Sequence, residues 1–407
     1  MKSLGVLWLI VLISLLGFGV TVVPFPLVAE QMGASDFWKT FGGAGVFSLF
    51  QLLATPAWGR FSDAFGRKPI LVGSLAGTVV AYVWQAYAND LMSLLVARAF
   101  AGIMSGNLAA AFAYATDVTD TKNRAKGLGI VGSAFGIGFA LGPPLGGFLG
   151  VDAAGLPSLH TVSLVAAALA TIALVGSVLF LKESLAPELR RPMGGQGGLT
   201  ADAGAVPGVS PLKAFVSNPA LSGLLLASLV VAVGGGALQS VFQFWGRDMF
   251  GFTLREVGLQ FMVFALFSAV GQAGLVGPLA RRFGEKRLAV MSIIGVTFGL
   301  VLFAVAWHPG VVWAAMIVFG LASGLFTPAV TSLMSFEADP RSRGAVMGIF
   351  NASSSAGRIV GPAVSGPVYF SFGPAAPFIA AAVLTVIGAF FLSRAPARPV
   401  EFDSDAP

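Results

Sequence analysis

The chain has 407 residues, of which 56 % are hydrophobic and only 10 % charged, with a mean hydropathy of +0.86. A soluble surface uses about 25 % charged residues, so the composition argues against a soluble enzyme, a nucleic-acid binder and a disordered scaffold. The net charge is +6; there is no cysteine, and His160 and His308 are the two histidines, so neither a disulfide nor a metal centre nor a cofactor is expected.

Charge-free intervals mark the elements in chain order. Residues 3–29, 40–59, 69–89, 127–151, 153–181, 214–246 and 257–280 hold no Asp, Glu, Lys or Arg. Residues 91–116 form another span, interrupted only by Arg98. The interval 288–336 is too long for one crossing and divides at Trp307-His308-Pro309-Gly310, a turn signal. Residues 344–370, which contain Arg358, and 374–393 complete the set. A bilayer core is crossed by about 20 apolar residues, and a helix satisfies its own backbone there. The runs are long and continuous rather than alternating. The expected fold is therefore an all-α membrane protein of twelve transmembrane helices in two six-helix bundles. The first run exceeds a signal-peptide core in length and is read as a retained span.

Lys and Arg set the orientation. With the N-terminus inside, inner segments hold 19 of them and outer loops hold three, Lys39, Arg247 and Arg255. Both termini are thus expected in the cytoplasm, for a bacterial-type cytoplasmic (inner) membrane. Residues 182–213 include the aperiodic Pro192-Met193-Gly194-Gly195-Gln196-Gly197-Gly198. They read as a flexible cytoplasmic linker between bundles 1–181 and 214–393, with 394–407 as a tail. The halves repeat: Asp120/Asp339, Arg124/Arg343, Gly138/Gly357, Gly142/Gly361, Pro143/Pro362 and Gly147/Gly366 match at an offset of 219, and Gly59/Gly277, Phe65/Phe283, Gly66/Gly284 and Lys68/Lys286 at 218. Alternating-access transporters use such repeats around a site near the midplane.

Several stretches carry candidate function. The loop after the second span reads Gly59-Arg60-Phe61-Ser62-Asp63-Ala64-Phe65-Gly66-Arg67-Lys68; Gly59 and Gly66 suit a tight turn. Gly138, Gly142 and Gly146 recur every four residues on one helix face, beside Pro143 and Gly147, and serve close packing, a hinge, or both. Arg98 and Arg358 lie well inside spans, where a charge costs roughly 2.5–3.5 kcal/mol on insertion scales, so each is a functional candidate. Gly127-Leu128-Gly129-Ile130-Val131-Gly132 matches GxGxxG but follows no strand, so nucleotide binding is rejected.

The Gly59–Lys68 loop, Arg98-Ala99-Phe100-Ala101-Gly102, the Asp117–Gly127 segment and Gly138–Gly147 together resemble the major facilitator superfamily, and within it the twelve-helix drug:proton antiporters of the tetracycline-exporter type. The resemblance implies a conformational latch in which Asp63 meets the start of the eleventh span near Gly344 and Arg67 pairs with Asp117. It also implies a role for Arg98 in proton coupling. Alternatively, Arg98 bonds carbonyls of the first span. Arg281 stands where the second-half copy of the loop would carry an acid, and Ser14 where the family carries an acid on the first span. No acid lies mid-span, so coupling candidates are Arg98, Glu30 and Asp117.

A central cavity should be apolar with a few polar groups. Candidates are Gln51, Asn107, Gln239, Gln243, Gln260, Asn351 and Arg358, with Phe18, Phe47, Phe242 and Phe264; Trp38 and Trp245 read as interfacial anchors. The expected protein is a secondary active transporter, not an enzyme, with no catalytic residues. It exports small amphipathic molecules with proton coupling, lives in the bilayer as a monomer, and binds no nucleic acid. Two alternatives are an exporter or facilitator of anionic metabolites and a non-transporting membrane sensor or scaffold of the same fold.

Overall fold

The computed structural model describes residues 2–119, 124–190, 218–338 and 343–394. The Gly-rich part of the linker, the tail beyond Arg394, and the repeat pair Asp120/Asp339 lie outside the described residues.

The described residues form long helical rods and no sheet. In order they are α1 (Lys2–Val22, resumed as Phe25–Gln31), α2 (36–65), α3 (Arg67–Ala86), α4 (Leu91–Asp117), α5 (Arg124–Leu149), α6 (His160–Phe180), α7 (Pro219–Phe250), α8 (Leu254–Phe283), α9 (Glu285–Ala304), α10 (Pro309–Glu337), α11 (Arg343–Phe372) and α12 (Ala376–Arg394). Among the described residues nine of these rods are long and apolar enough to cross a membrane. The long interval 288–336 does divide, with α9 ending at Ala304 and α10 starting at Pro309.

Local sequence explains the ends. Asn218 caps α7 by accepting from the N–H groups of Ala220 and Leu221, with Pro219 at the first helical position. Thr253 and Glu256 form a capping box on α8. Asp90 and His308, 218 residues apart, cap α4 and α10 in the same way. Gly59 was expected in a turn, but α2 runs on to Phe65 and Gly59 lies inside it. Charges beyond the apolar zone do not stop a helix; the turn waits for Gly66, at φ 104°.

The two halves pack alike. α1 packs on α5 and α6 as α7 packs on α11 and α12; α3 on α6 as α9 on α12; α2 on α4 as α8 on α10. The six glycines with positive φ form three pairs at the same offset of 218, namely Gly33/Gly251, Gly66/Gly284 and Gly155/Gly373. The repeat is thus written in the turns as well as in the helices, and two of these three pairs lie in outer loops where the sequence comparison had found nothing. One apolar core fills the first half and another the second. A third draws Val23 and Leu27, from the turn and outer segment of α1, in among Phe242, Trp245, Phe261 and Phe303 of the second half. Trp245 is only 1 % exposed, so it is a core residue and not an interfacial anchor.

Candidate functional site

Four arrangements follow the bundle from the α2–α3 turn to the opposite end. At the α2–α3 turn the Arg67 guanidinium donates to the Asp63 carboxylate, to Ser62 Oγ at 2.8 Å and to Asp117 Oδ2 at 3.2 Å. Glu183, just past α6, accepts from the backbone N–H groups of Arg67 (2.9 Å) and Lys68 (3.2 Å), which places a carboxylate on the start of α3, where the helix dipole favours it. Ser184 Oγ donates to Asp117 at 3.1 Å. Asp63 is therefore found with Arg67 inside its own half, while Gly59 has nothing near its Cα on which a side chain would press. The sequence analysis does not single out Glu183 and Ser184, which fall within the segment 182–213 read as linker; their signal is an acid directly after a span.

Arg98 is fully buried. Its Nη1 donates to Thr21 Oγ1 of α1 at 2.7 Å and its Nε and Nη2 to Gly43 O of α2 at 3.3 and 3.1 Å. Its Cζ lies 5.1 Å from the Phe47 ring centroid and 5.8 Å from that of Phe18. The bonds reach a hydroxyl of α1 and a carbonyl of α2, not carbonyls of α1. Gly43 belongs to a π-helical turn, Phe41–Gly45, which breaks the regular ladder of α2.

A small cavity of about 20 Å³ lies between α1, α2, α3 and α4. Gln51, Asn107 and Phe47 line it, joined by Ser14, Ser105 and Leu71. Its polar side is made by a break in α4. The turn Ser105–Asn107 is 3₁₀-helical, and the carbonyls it releases are taken by Gln51 Nε2 (to Ser105 O, 3.2 Å) and by Trp58 Nε1 (to Ile103 O). Asn107 Nδ2 donates to Ser74 Oγ, and the buried Ser105 hydroxyl has no partner. Phe18 packs on Phe47 with ring centroids 4.6 Å apart and lies outside this lining.

The end opposite the α2–α3 turn holds the halves together. Arg247 of α7 binds Glu30 of α1, and its Nε donates to Asp248 Oδ1 at 2.9 Å; Tyr369 of α11 donates to Asp248 Oδ2 at 2.7 Å. Lys39 Nζ lies 3.8 Å from Glu30 and 4.4 Å above the Phe370 ring, and Thr40 Oγ1 donates to Pro362 O at 2.8 Å. The glycine motif supplies the contact surface. A Cβ on Gly138 would meet Leu15 Cβ at 2.6 Å, and one on Gly142 would meet Gly19 Cα at 2.6 Å, both on α1; Gly146 faces Val20 O. Gly147 turns instead to Gly258 and Leu254 of the opposite half. α5 continues unbroken through Pro143 and Pro144, so the motif acts here as a packing face rather than a break.

The second-half candidates are not gathered into this cavity. Gln243 and Gln260 are 1 % and 0 % exposed, and none of their amide atoms has a partner. Gln239 is half-buried, Phe264 packs on Phe319 at 5.7 Å, Asn351 is exposed, and the half-buried Arg358 donates to Ser355 Oγ at 2.9 Å.

The comparisons agree with this architecture. The model of the Major Facilitator Superfamily matches residues 7–361 and 247–406. The chain is 30 % identical over 372 residues to the class C tetracycline resistance protein of Escherichia coli, covering 88 % of this chain and 87 % of that one. It is 28 % identical to multidrug resistance protein 2 of Bacillus subtilis, with coverage of 93 % and 91 %. Among solved structures it is similar to the human organic anion transporter MFSD10, at 25 % identity and a TM-score of 0.69 over 96 % of this chain and 99 % of that one. A bacterial homologue of the human lysosomal transporter Spinster, in an inward-facing conformation, shares the fold at a TM-score of 0.75 and 18 % identity, covering 96 % of this chain and 95 % of that one. Two half-repeats that pack alike, a family model matched over most of the chain and similarity to resistance proteins over nearly nine-tenths of it lead to one conclusion: the chain belongs to the Major Facilitator Superfamily.

Proposed function

We propose that the chain is a monomeric, proton-coupled exporter of small amphipathic compounds in a bacterial-type cytoplasmic membrane, crossing it twelve times with both termini in the cytoplasm. The observation that carries this reading is the pair of halves that pack alike and are joined at one end, with a small cavity at the broken middle of α4. A compound would enter from the cytoplasm, and release would require the outer contacts to part while the inner latch re-forms, a shift between two populations. The similarity to a tetracycline resistance protein and to a multidrug resistance protein supports this reading.

The coupling candidates divide by position. An ionised Glu30 is needed for the pair with Arg247, so proton uptake there favours the outward-open state. An exporter must return to the inward-open state when proton-loaded, which is the opposite sense. Glu30 is therefore assigned to the outer clamp, Arg98 to holding α1, α2 and α4 together, and Asp117, which accepts from Arg67 and Ser184, to the proton step.

A second reading, exchange or facilitated passage of organic anions, is favoured by the absence of any acid from the middle of a span and by the similarity to the organic anion transporter MFSD10. Flux into proteoliposomes under an imposed pH gradient, with cationic, neutral and anionic compounds, tests both. Gradient-dependent flux supports the exporter; flux indifferent to the gradient supports the facilitator; no flux of any compound overturns both.

A further inference from the structure

The α8–α9 turn repeats the α2–α3 turn with its charges exchanged. At the offset of 218, Arg281 takes the place of Asp63 and Glu285 that of Arg67, around Gly66 and Gly284, whose φ values are 104° and 78°. In the first half the turn is satisfied from within the fold. Arg67 is held by Asp63, Ser62 and Asp117, and the Glu183 carboxylate, three residues past the end of α6, sits on the N–H groups that start α3. The second half differs. Glu285 Oε1 accepts from Ser332 Oγ of α10 at 2.6 Å, but among the described residues nothing accepts from the Glu285 N–H, the counterpart of the Arg67 N–H that Glu183 covers. Arg281, Arg282 and Arg287 are exposed, and none of them forms an ion pair with a described residue; Arg282 only overlies the Phe283 ring at 5.4 Å. A helix start ringed by cations calls for an anion.

The chain beyond α12 is placed to supply it. α9 and α12 pack antiparallel: a Cβ on Gly388 would meet Ile293 Cδ1 at 3.2 Å, and Thr297 Oγ1 donates to Thr385 Oγ1 at 2.8 Å. Six residues on from Gly388 and six back from Ile293, the helices stand level at Arg394 and Arg287. Leu392 and Leu288 accordingly share one core. In the first half α3 and α6 are related in the same way, by the bonds from Gln85 to Ser163 and from Lys68 to Val178 O, and there the chain leaving α6 delivers Glu183. The chain leaving α12 carries Glu401, Asp403 and Asp405 against Arg398 alone. Glu401 is seven residues past Arg394, a reach of up to about 23–25 Å, while packed helix axes lie about 8–10 Å apart.

We propose that the acidic tail of this chain docks on its own α8–α9 turn, with Glu401, Asp403 and Asp405 against Arg281, Arg282, Arg287 and the start of α9, and so gives the second half the carboxylate that Glu183 gives the first. The contact ties the turn to the end of α12. An anionic phospholipid headgroup would be attracted by the same cations, but the internal repeat and the placement of Arg394 beside Arg287 favour the tail. The contact depends neither on the substrate nor on the coupling ion. All three arginines are exposed, so salt weakens it.

The test places two spin labels on the full chain, which has no cysteine of its own: one at Gly277→Cys on α8, where a side chain meets open space, and one at Ser404→Cys in the tail. In phosphatidylcholine nanodiscs the distance distribution should be one narrow peak. Glu401→Gln with Asp403→Asn and Asp405→Asn, changes confined to the tail, should replace the peak by a broad distribution. Raising the salt from about 0.1 M to about 1 M, which shortens the Debye length from about 10 Å to about 3 Å, should do the same. Arg281→Glu with Arg282→Glu and Arg287→Glu should also lose the peak, and adding Glu401→Lys, Asp403→Lys and Asp405→Lys to that protein should restore it. A broad distribution in the labelled chain with its charges intact, or a narrow peak that survives neutralisation of the tail, would overturn the proposal. A peak present in phosphatidylcholine and lost in phosphatidylglycerol would overturn it as well, since lipid headgroups would then be the occupant.

Discussion

Gly147 of α5 and Gly258 of α8 meet backbone to backbone across the boundary between the halves; a Cβ on Gly147 would lie 2.5 Å from Gly258 Cα. The repeat partner of Gly147, Gly366 on α11, makes the mirror contact, pressing on Asp36 O and Thr40 of α2. Each half thus lends its fifth helix to the other as a bearing. Neither position has room for a side chain: backbone atoms oppose Gly147, and the Thr40 side chain with Asp36 O opposes Gly366. Gly147→Val should overpack the contact at a cost of about 1–3 kcal/mol, weaken closure of the outer end, and lower flux while membrane insertion stays normal. Normal flux from the inserted variant would contradict the bearing.

Arg247→Gln should shift the halves toward an open outer end. The side chains of Arg247 and Glu30 are 42 % and 31 % exposed, so solvent screening leaves the pair worth about 1 kcal/mol or less, a shift of severalfold in the open-to-closed ratio. The chain has no cysteine, so spin labels at Asn89→Cys and Trp307→Cys report the outer separation without background. A longer mean distance is expected; an unchanged distribution would show that the Thr40–Pro362 bond and the glycine bearings suffice alone.

Asp63→Asn should abolish transport in proteoliposomes while the protein still inserts, because the latch that must re-form on the inner face loses its acid. Arg67→Lys should behave alike, since one ammonium cannot reproduce the fork that reaches Asp63, Ser62 and Asp117 together. Native flux in either variant would remove the latch from the mechanism.

Gln260→Met should raise the thermal midpoint in detergent. Both amide atoms of Gln260 are buried without partners, and such groups cost about 1–3 kcal/mol relative to an apolar side chain of similar shape. A lowered midpoint would mean that the amide is satisfied in the folded protein.

Much of the architecture was legible because membrane burial acts on every residue of a span. Charge-free runs located the rods, and the Trp307–Gly310 signal placed the α9–α10 turn. The Arg67–Asp117 pair followed from a motif. The interior of the helices was less legible. The 3₁₀ break at Ser105–Asn107 and the π-helical turns at Phe41–Gly45 and Val270–Leu275 leave composition and hydropathy almost unchanged, so periodicity does not reveal them. Contacts between distant segments, such as Glu30 with Arg247 or Tyr369 with Asp248, depend on which ends the fold brings together. Trp245 differs for the same reason: its position near a span end suggests the interface, yet Phe250, Phe303 and Phe378 pack edge-on against it.

The central claim is that the halves rock about the glycine bearings, closing one end as the other opens. Paired distance measurements test it most directly, with labels at Asn89→Cys and Trp307→Cys on the outer end and, in a second protein, at Arg60→Cys and Arg281→Cys on the inner end. Without ligand the outer distance should be short and the inner one long, and Arg247→Gln should lengthen the first and shorten the second together. Distances that move in the same direction, or an inner pair that ignores the loss of the outer clamp, would contradict the account.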